Sequence, residues 1–545
     1  MKRLITFLSL AMACVLHVPA CTNLIVGKNA SADGSTIVSY SADSYGLFGE
    51  LYHYPAGTYK KGTLMNIYEW DTGKYLGQIE QARQTYNVIG NMNEFQVTIG
   101  ETTFGGRPEL VDTTGVIDYG SLIYLGLQRS RTAREAIRIM TDLVEEYGYY
   151  SSGESFTIAD PNEVWIMEMI GKGPGVRGAV WVAVRVPDDC ISAHANQSRI
   201  RQFDMGDKEN CIYSPDVISF AREKGYFTGV NKDFSFADAY SPNDFGMLRY
   251  CEARVWSFFN MFTDRGEEFL PYIKGESSTP MPLYVKPNRK ISVQDIKNAM
   301  RDHYEGTPLD LSQDFGAGPY HTPYRLSPLD FEVDGQKYFN ERPISTQQTG
   351  FVFVAQMRND LPDAVGGVLW FGVDDANMTV FTPVYCCADE VPVCYSRVDG
   401  ADYITFSWNS SFWIFNWVAN MVYPRYDLMI GDVRTLQKEI EQTFNAAQEG
   451  IENAALKLMP VDPAAARRLL TKYTVMTAQS THDAWKRLGE FLVVKYNDGV
   501  VKRMKDGKFE RNSIGQPAEV IRPGYPKDFL KEYVKQTGNR YKMPE

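Results

Sequence analysis

The run from Cys21 to Asp43, Cys-Thr-Asn-Leu-Ile-Val-Gly-Lys-Asn-Ala-Ser-Ala-Asp-Gly-Ser-Thr-Ile-Val-Ser-Tyr-Ser-Ala-Asp, constrains the fold more than any other part of the chain. Two runs rich in β-branched residues, Thr22 to Gly27 and Thr36 to Tyr40, flank the turn signal Ala32-Asp33-Gly34. That is the pattern of a β-hairpin. A hairpin here carries the end of its second strand, Tyr40 to Asp43, back past Cys21.

What precedes Cys21 matters equally. Lys2 and Arg3 start a segment whose apolar middle, Leu4 to Val18, is too short to span a bilayer as a mature helix. It ends in Val18-Pro19-Ala20, with the small residue of a signal-peptide cleavage site. Residues 1–20 therefore read as a secretory signal. Cleavage after Ala20 leaves Cys21 as the first residue, with a thiol and a free α-amine together. An α-amine with a pKa near ~8 can accept a proton at neutral pH. It can then deprotonate the thiol without another base, the self-activated nucleophile of N-terminal Cys and Thr enzymes.

A rival reading makes Cys21 the lipid acceptor of a bacterial lipoprotein. Lipidation blocks the sulfur, and acylation blocks the amine, so the two readings exclude each other. Pro19 is awkward in a lipoprotein cleavage box, and a mere tether gives no reason for the motif that follows.

The chain has 545 residues and a formal charge of −11. That balance argues against nucleic acid and against anionic membranes as general partners. No later stretch approaches the ~18 uninterrupted apolar residues of a spanning helix. An exported protein, periplasmic or extracellular, is expected, with lipid anchoring at Cys21 as the alternative. Besides Cys14 and Cys21, the cysteines are Cys190, Cys211, Cys251, Cys386, Cys387 and Cys394. Their spacing has no CxxC metal pattern, so no metal site is expected, and pairing and free thiols both stay open.

Short strands are expected at Tyr86–Ile89, Phe95–Ile99, Ser155–Ala159, Val164–Met169, Ala179–Val186, Gly350–Met357, Val368–Gly372 and Asn377–Thr382. Thr132 to Glu135 reads as a capping box opening a helix over 132–147. Pro215–Lys224 and Val293–His303 read as helices, the second capped by Ser292. Asp374-Asp375 falls in a turn and reads as solvated rather than as a cation site. The aromatics from Trp408 to Val418 read as packing. Val433–Leu458 and Pro463–Leu492 read as two long helices, followed by a polar, basic tail.

Amide hydrolysis by a cysteine needs a thiolate, a proton carrier, oxyanion donors and a group that orients the nucleophile. Cys21 supplies the first and its amine the second. His194, the default base of a Cys-His pair, is then not needed.

The opening motif resembles the start of the mature C69 dipeptidases, which belong to the N-terminal nucleophile hydrolases alongside penicillin V acylase and bile salt hydrolase. Further resemblance lies in Asn91-Met-Asn-Glu94, Val164 to Met169, Trp181 to Asp188, Ser192-Ala-His-Ala-Asn196 and Tyr304-Glu-Gly-Thr-Pro308. The likeness runs from Cys21 to about Tyr426. It implies an α+β fold, a four-layer αββα sandwich with a helical C-terminal extension. Residues 21–430 would form the catalytic domain, and 431–545 helices and a tail packed on it.

The resemblance also implies the site. Asp43 matches the acid of an Arg-Asn-x-Asp pattern and would hold the Cys21 amine. Tyr40 stands where that pattern has arginine, and Arg199 and Arg342 are the candidates to replace it. Asn196 would be the side-chain oxyanion donor. Asn93, Glu101, Thr103 and Tyr40 would contact substrate, with Thr103 near a backbone oxyanion donor and Glu101 holding a substrate ammonium. The implied reaction is hydrolysis of a dipeptide through a Cys21 thioester, without metal or organic cofactor. An amidase acting on N-acyl amino acids, bile-acid amides or β-lactams is a second reading, and an inactive lipid-anchored binding protein a third. The sequence leaves homo-oligomerisation open.

Overall fold

A computed structural model of the chain describes residues 21–242 and 245–545. The expected signal segment, residues 1–20, lies outside the described residues. The opening hairpin forms as read: β1 (Thr22–Val26) pairs antiparallel with β2 (Thr36–Asp43), Thr22 opposite Ser41 and Val26 opposite Ile37. Both strands are buried along their whole length. The chain continues through β3 (Thr98–Gly105), α1 (Tyr119–Arg129), α2 (Ala133–Tyr147), β4 (Gly153–Ala159), β5 (Val164–Gly171), β6 (Ala179–Val186) and β7 (Ile191–His194). Then follow α3 (Ala253–Phe262), α4 (Val293–Ala299), β8 (Thr349–Met357), β9 (Val368–Val373) and β10 (Thr382–Tyr385). Three C-terminal helices come last, α5 (Ser411–Val422), α6 (Tyr426–Leu458) and α7 (Pro463–Tyr496).

Two antiparallel sheets result. One runs in the order Tyr284–Val285, β7, β1, β2, β8, β9, β10, so the opening hairpin lies at its centre. The other runs Cys211–Tyr213, β6, β5, β4, β3, and then three two-residue strands, Met92–Asn93, Val88–Ile89 and His53–Tyr54. The sheets meet face to face where Asn23 of β1 reaches β3, its Nδ2 donating to the Glu101 carbonyl at 2.7 Å. Gly100 permits this approach. A Cβ there would lie 2.4 Å from Asn23 Oδ1 and 3.3 Å from the Tyr40 Cβ.

The period-two alternation of the strands sorts their side chains between two cores. On β5, Val164, Ile166 and Ile170 join the core shared with the first sheet. Trp165, Met167 and Met169 join the core under α1 and α2. Thr132 caps α2 as expected, its hydroxyl accepting from the Glu135 N–H. Ser292 and Asp295 form a reciprocal capping box on α4. On the other side, α5 packs on β9, and α6 and α7 on β10. Val433, Phe444, Leu470, Trp485 and Leu492 share the core of the first sheet, so the long helices complete that core.

Several boundaries differ from the sequence reading. The strand expected at Phe95–Ile99 begins only at Thr98, because Asn93 Oδ1 accepts from the Phe95 and Val97 N–H groups and ties 93–97 into a turn. Asn377–Thr382 is not a strand until Thr382. Asp374-Asp375 is not solvated: both residues are buried, and Asp375 accepts from Ser345 Oγ and the Asn377 N–H, with Tyr324 as a further partner. The 293–303 helix stops at Ala299, and the 433–458 helix starts earlier, at Tyr426.

Candidate active site

Cys21 sits one residue before β1 and is almost fully buried, 3% exposed. Its sulfur lies 3.6 Å from the Tyr40 hydroxyl on the neighbouring strand. It forms part of the wall of a cavity of ≈ 390 Å³, which Tyr40, Asp43, Asn91, Glu101 and Phe351 also line. Four of the sequence-derived site residues, Cys21, Tyr40, Asp43 and Glu101, are thus brought together around one space.

The electrostatics keep the thiol protonated. Burial is the first cause, and the Glu101 and Asp43 carboxylates add to it, so the Cys21 thiol titrates well above its usual range. A hydrogen bond from the Asp43 backbone N–H opposes this, whereas the Tyr40 oxygen, its proton given to Glu101, can only accept from the thiol. Asp43 is buried at the end of β2, where its Oδ1 accepts from Thr349 Oγ1 at 2.7 Å and its Oδ2 from Ser41 Oγ at 3.0 Å. Burial lifts its carboxyl to about 6, against the Thr349 hydroxyl and the Arg342 and Arg254 guanidiniums.

Tyr40 donates to Glu101 Oε1 at 2.5 Å, and Thr103 Oγ1 donates to Glu154 Oε1 at 2.6 Å. Glu154 lies opposite Thr103 across the β3–β4 ladder, on the face that carries Glu101 two residues earlier. Burial and the Glu101 charge hold Glu154 neutral, well above the carboxylate range. Burial lifts Glu101 to about 7. The protonated Glu154 shares a hydrogen bond with this enclosed carboxylate.

Asn196 takes the left-handed backbone conformation, φ 57°, which asparagine tolerates better than most residues. Its Nδ2 donates to the Thr103 carbonyl at 2.8 Å, and its Oδ1 accepts from Arg254 Nη2 at 3.1 Å. The loop beyond it is pinned by the buried Glu168, which accepts from Ser198 Oγ and from the N–H groups of Arg199 and Ile200.

Three expected contacts with the cavity are not made. Asn196 lies outside its wall, its amide on the Thr103 carbonyl. Asn93 is turned away from the cavity, its Nδ2 donating to the Leu127 and Ser130 carbonyls. Its neighbour Asn91 lines the cavity instead. The Thr103 hydroxyl is taken by Glu154, and only its carbonyl serves the site, by orienting Asn196.

His194 is enclosed between Thr102 Oγ1 and Thr157 Oγ1, each 2.7 Å from a ring nitrogen. Burial depresses it to about 3, so it stays neutral and stands apart from the cavity.

Arg199 is also excluded, being held by Glu252 and by the carbonyls of Ala193, Pro282 and Leu283. Arg342 does lie within electrostatic reach of Asp43 and Cys21. Tyr304, at φ 67°, donates its hydroxyl to the Arg342 carbonyl at 2.6 Å, which gives the Tyr304-Glu-Gly-Thr-Pro308 segment its part in the site.

The residue that sequence reading missed is Arg254, on α3. Its Nη1 donates to the Cys21 carbonyl and to Thr22 Oγ1, both at 2.8 Å, and its Nη2 to the Ala195 carbonyl and Asn196 Oδ1. One guanidinium thus ties the head of β1 to the end of β7. Nothing in the local sequence Glu-Ala-Arg-Val marks it, since the bond spans 233 residues.

The profile of Peptidase family C69 matches residues 20–53 and 49–439, most of the chain, and the chain belongs to this family of peptide hydrolases. Among curated relatives, a probable dipeptidase of Salmonella dublin is 30% identical over 386 residues, covering 67% of this chain and 81% of the relative. A probable dipeptidase of Latilactobacillus sakei is 26% identical over 466 residues, 81% of this chain and 89% of the relative. Dipeptidase A of Lactobacillus helveticus is 25% identical over 421 residues, 72% of this chain and 80% of the relative. Among the described residues, no helix is long and apolar enough to cross a membrane.

Proposed function

We propose that this protein is an exported dipeptidase in which Cys21, freed by removal of residues 1–20, attacks the peptide carbonyl and forms a thioester. The carrying observation is a buried thiol at the head of a central strand, in the wall of a cavity shared with Asp43 and Glu101. The raised thiol pKa calls for a base at the moment of attack. The Cys21 α-amine fills that role: it takes the thiol proton, passes it to the departing amine, and then accepts a proton from the water that cleaves the thioester. Asp43, as the carboxylate, receives a hydrogen bond from that amine and fixes it. Asn196, its carbonyl end tied to Arg254 and its amide nitrogen resting on the Thr103 carbonyl, would turn that nitrogen to the oxyanion.

Cavity size favours a dipeptide over larger amides. Ligand sites run from about 300 to 1,000 Å³, and ≈ 390 Å³ is at the small end. The proposed architecture is the four-layer αββα arrangement, supported by the strand alternation between two cores. We assign residues 21–430 to its catalytic unit, with 431–545, which begin within α6, completing the core of the first sheet and adding the tail.

The test is mass spectrometry of the mature N-terminus joined to Cys21→Ala kinetics on mixed dipeptides. Activity with a retained or blocked terminus, or activity surviving in the alanine variant, would overturn the proposal.

A further inference from the structure

Beyond the reacting atoms, the cavity has a second set of walls. Leu64–Tyr68 and Tyr75–Glu80 pair into a hairpin outside the two main sheets. Just past its first strand, Trp70 and Asp71 line the same cavity as Cys21. This segment is fastened to the start of α1. The Trp70 N–H donates to Asp118 Oδ2 at 2.9 Å, and the Tyr119 hydroxyl donates to Asp71 Oδ1 at 2.9 Å. Gly120 lets Trp70 lie flat on the helix, since a Cβ there would sit 2.5 Å from the indole Cγ. The indole packs edge-on against Tyr52 with ring centroids 4.7 Å apart.

The chemistry of this end is one-sided. It offers the rings of Tyr52, Trp70, Tyr119 and Phe351 and the carboxylates of Asp71 and Glu101, with no Lys, Arg or His among the described lining residues. The Glu101 carboxylate is buried, bonded by Tyr40 and by the neutral Glu154. Burial is the main cause of the raised Glu101 pKa, and the Asp71 charge adds to it, so the two carboxylates repel each other. A cation between them relieves that repulsion, and aromatic faces accept cations as well.

We infer that Asp71 is a specificity-determining residue: with Glu101 behind it, its carboxylate receives the α-ammonium of the dipeptide's first residue, whose side chain rests on the Trp70–Tyr52 pair. This rests on the dipeptidase reading and deepens it. The hairpin thereby selects peptides with a free amino terminus and a large apolar first residue.

The test compares Asp71→Asn with the unmutated protein on Phe-Ala and on its desamino analogue, 3-phenylpropionyl-alanine. The expected result is a KM for Phe-Ala raised roughly 10- to 100-fold, the loss of one hydrogen bond to a charged group, with kcat and the desamino reaction within about threefold. Asp71→Glu should recover most of the affinity. Equal losses on both substrates overturn the assignment and leave Asp71 a brace for the hairpin. So does a penalty seen only when lysine is the first residue, because the ammonium read would then be a side chain. A binding arm separates this idea from the hydrolysis reading. Calorimetry on Cys21→Ala with phenylalaninamide should show binding that the added Asp71→Asn abolishes, even if the unmutated protein cleaves no dipeptide. Equal binding in both variants, or none in either, refutes the Asp71 site.

Discussion

Replacing Arg254 separates what this guanidinium does for the fold from what it does for the site. It is 1% exposed and serves four acceptors outside its own helix: the Cys21 and Ala195 carbonyls, Thr22 Oγ1 and Asn196 Oδ1. Arg254→Leu leaves all four buried. At about 1 kcal/mol each the loss is roughly 4 kcal/mol, a large share of the 5–15 kcal/mol typical of a folded domain. An unfolding entropy of about 2.1 cal/mol/K per residue over roughly 500 residues gives about 1 kcal/mol per degree. The melting temperature should therefore fall by about 4 °C, read by scanning calorimetry. Arg254→Lys keeps the charge but replaces a fork that grips both strands with a single point. It should melt within about 2 °C of the unmutated protein while kcat/KM on a dipeptide drops roughly 100-fold, the scale of a 1 Å misplacement of reacting groups. Dipeptide turnover by Arg254→Lys within threefold of normal would refute the claim that Arg254 sets the relative position of Cys21 and Asn196.

Four further outcomes follow from the same geometry. If Asp43 must be ionised to hold the amine and the amine neutral to act as base, kcat/KM should rise with pH in two steps, the lower near about 6 and the upper near ~8; Thr349→Val removes a hydrogen bond to the anion and should move the lower break to higher pH in a pH–rate profile, and an unmoved break counts against Asp43. Glu168 titrates at about 7 in the fold, above the 4.5 of a free glutamate. Its proton favours the folded state, so the stability it confers is complete below about pH 4.5 and is lost as pH rises toward 7, on the order of 3 kcal/mol at about 1.4 kcal/mol per unit; Glu168→Gln should flatten melting temperature against pH over this window, and an unchanged slope refutes the assignment. Gly100→Ala drives a Cβ into Asn23 and should cost about 1–3 kcal/mol, visible as a lower melting temperature, while an unaltered one would mean the sheets stand further apart. Iodoacetamide labelling of Cys21 should be slow at pH 6 and climb with pH, since the resting sulfur is a thiol; maximal labelling already at pH 6 would mean a resting thiolate.

Local signals in the sequence carried far where the structure is itself local. The hairpin turn at Asp33-Gly34, the Thr132 and Ser292 caps and the alternation of β5 are each decided within a few residues, and each forms as read. The opening motif led to Cys21 and Asp43, and the family resemblance to Glu101, and two paired strands with one facing strand bring the three together. The reading failed where distant chain decides an environment. Asp374 and Asp375 look like a solvated turn until Tyr324, Ser345 and Asn416 close over them. Asn93 has the composition of a site residue and the bonding of a turn brace. Arg254, Trp70 and Asp71 have no motif at all, since their roles come from packing against β1, β7 and α1.

Tyr40 joins these observations into one account of the nucleophile. An arginine at that position would place a cation directly on the thiol and lower its pKa. Here a phenol stands there, and burial keeps it neutral by driving its own pKa up. It spends its proton on Glu101, so it offers the sulfur no charge. The cations of the site lie elsewhere: Arg254 grips the Cys21 carbonyl and Asn196, and Arg342 lies near Asp43. Positive charge therefore stabilises the carboxylate that would hold the amine and orients the amide that would meet the oxyanion. The sulfur itself faces carboxylates. In such a field the resting thiol is favoured, and a thiolate becomes affordable only as its proton is taken and its charge moves onto the carbonyl oxygen. A neutral amine on the same residue is the base that meets this requirement, which is why release of the Cys21 nitrogen, rather than ionisation of its sulfur, is the step that would switch the enzyme on.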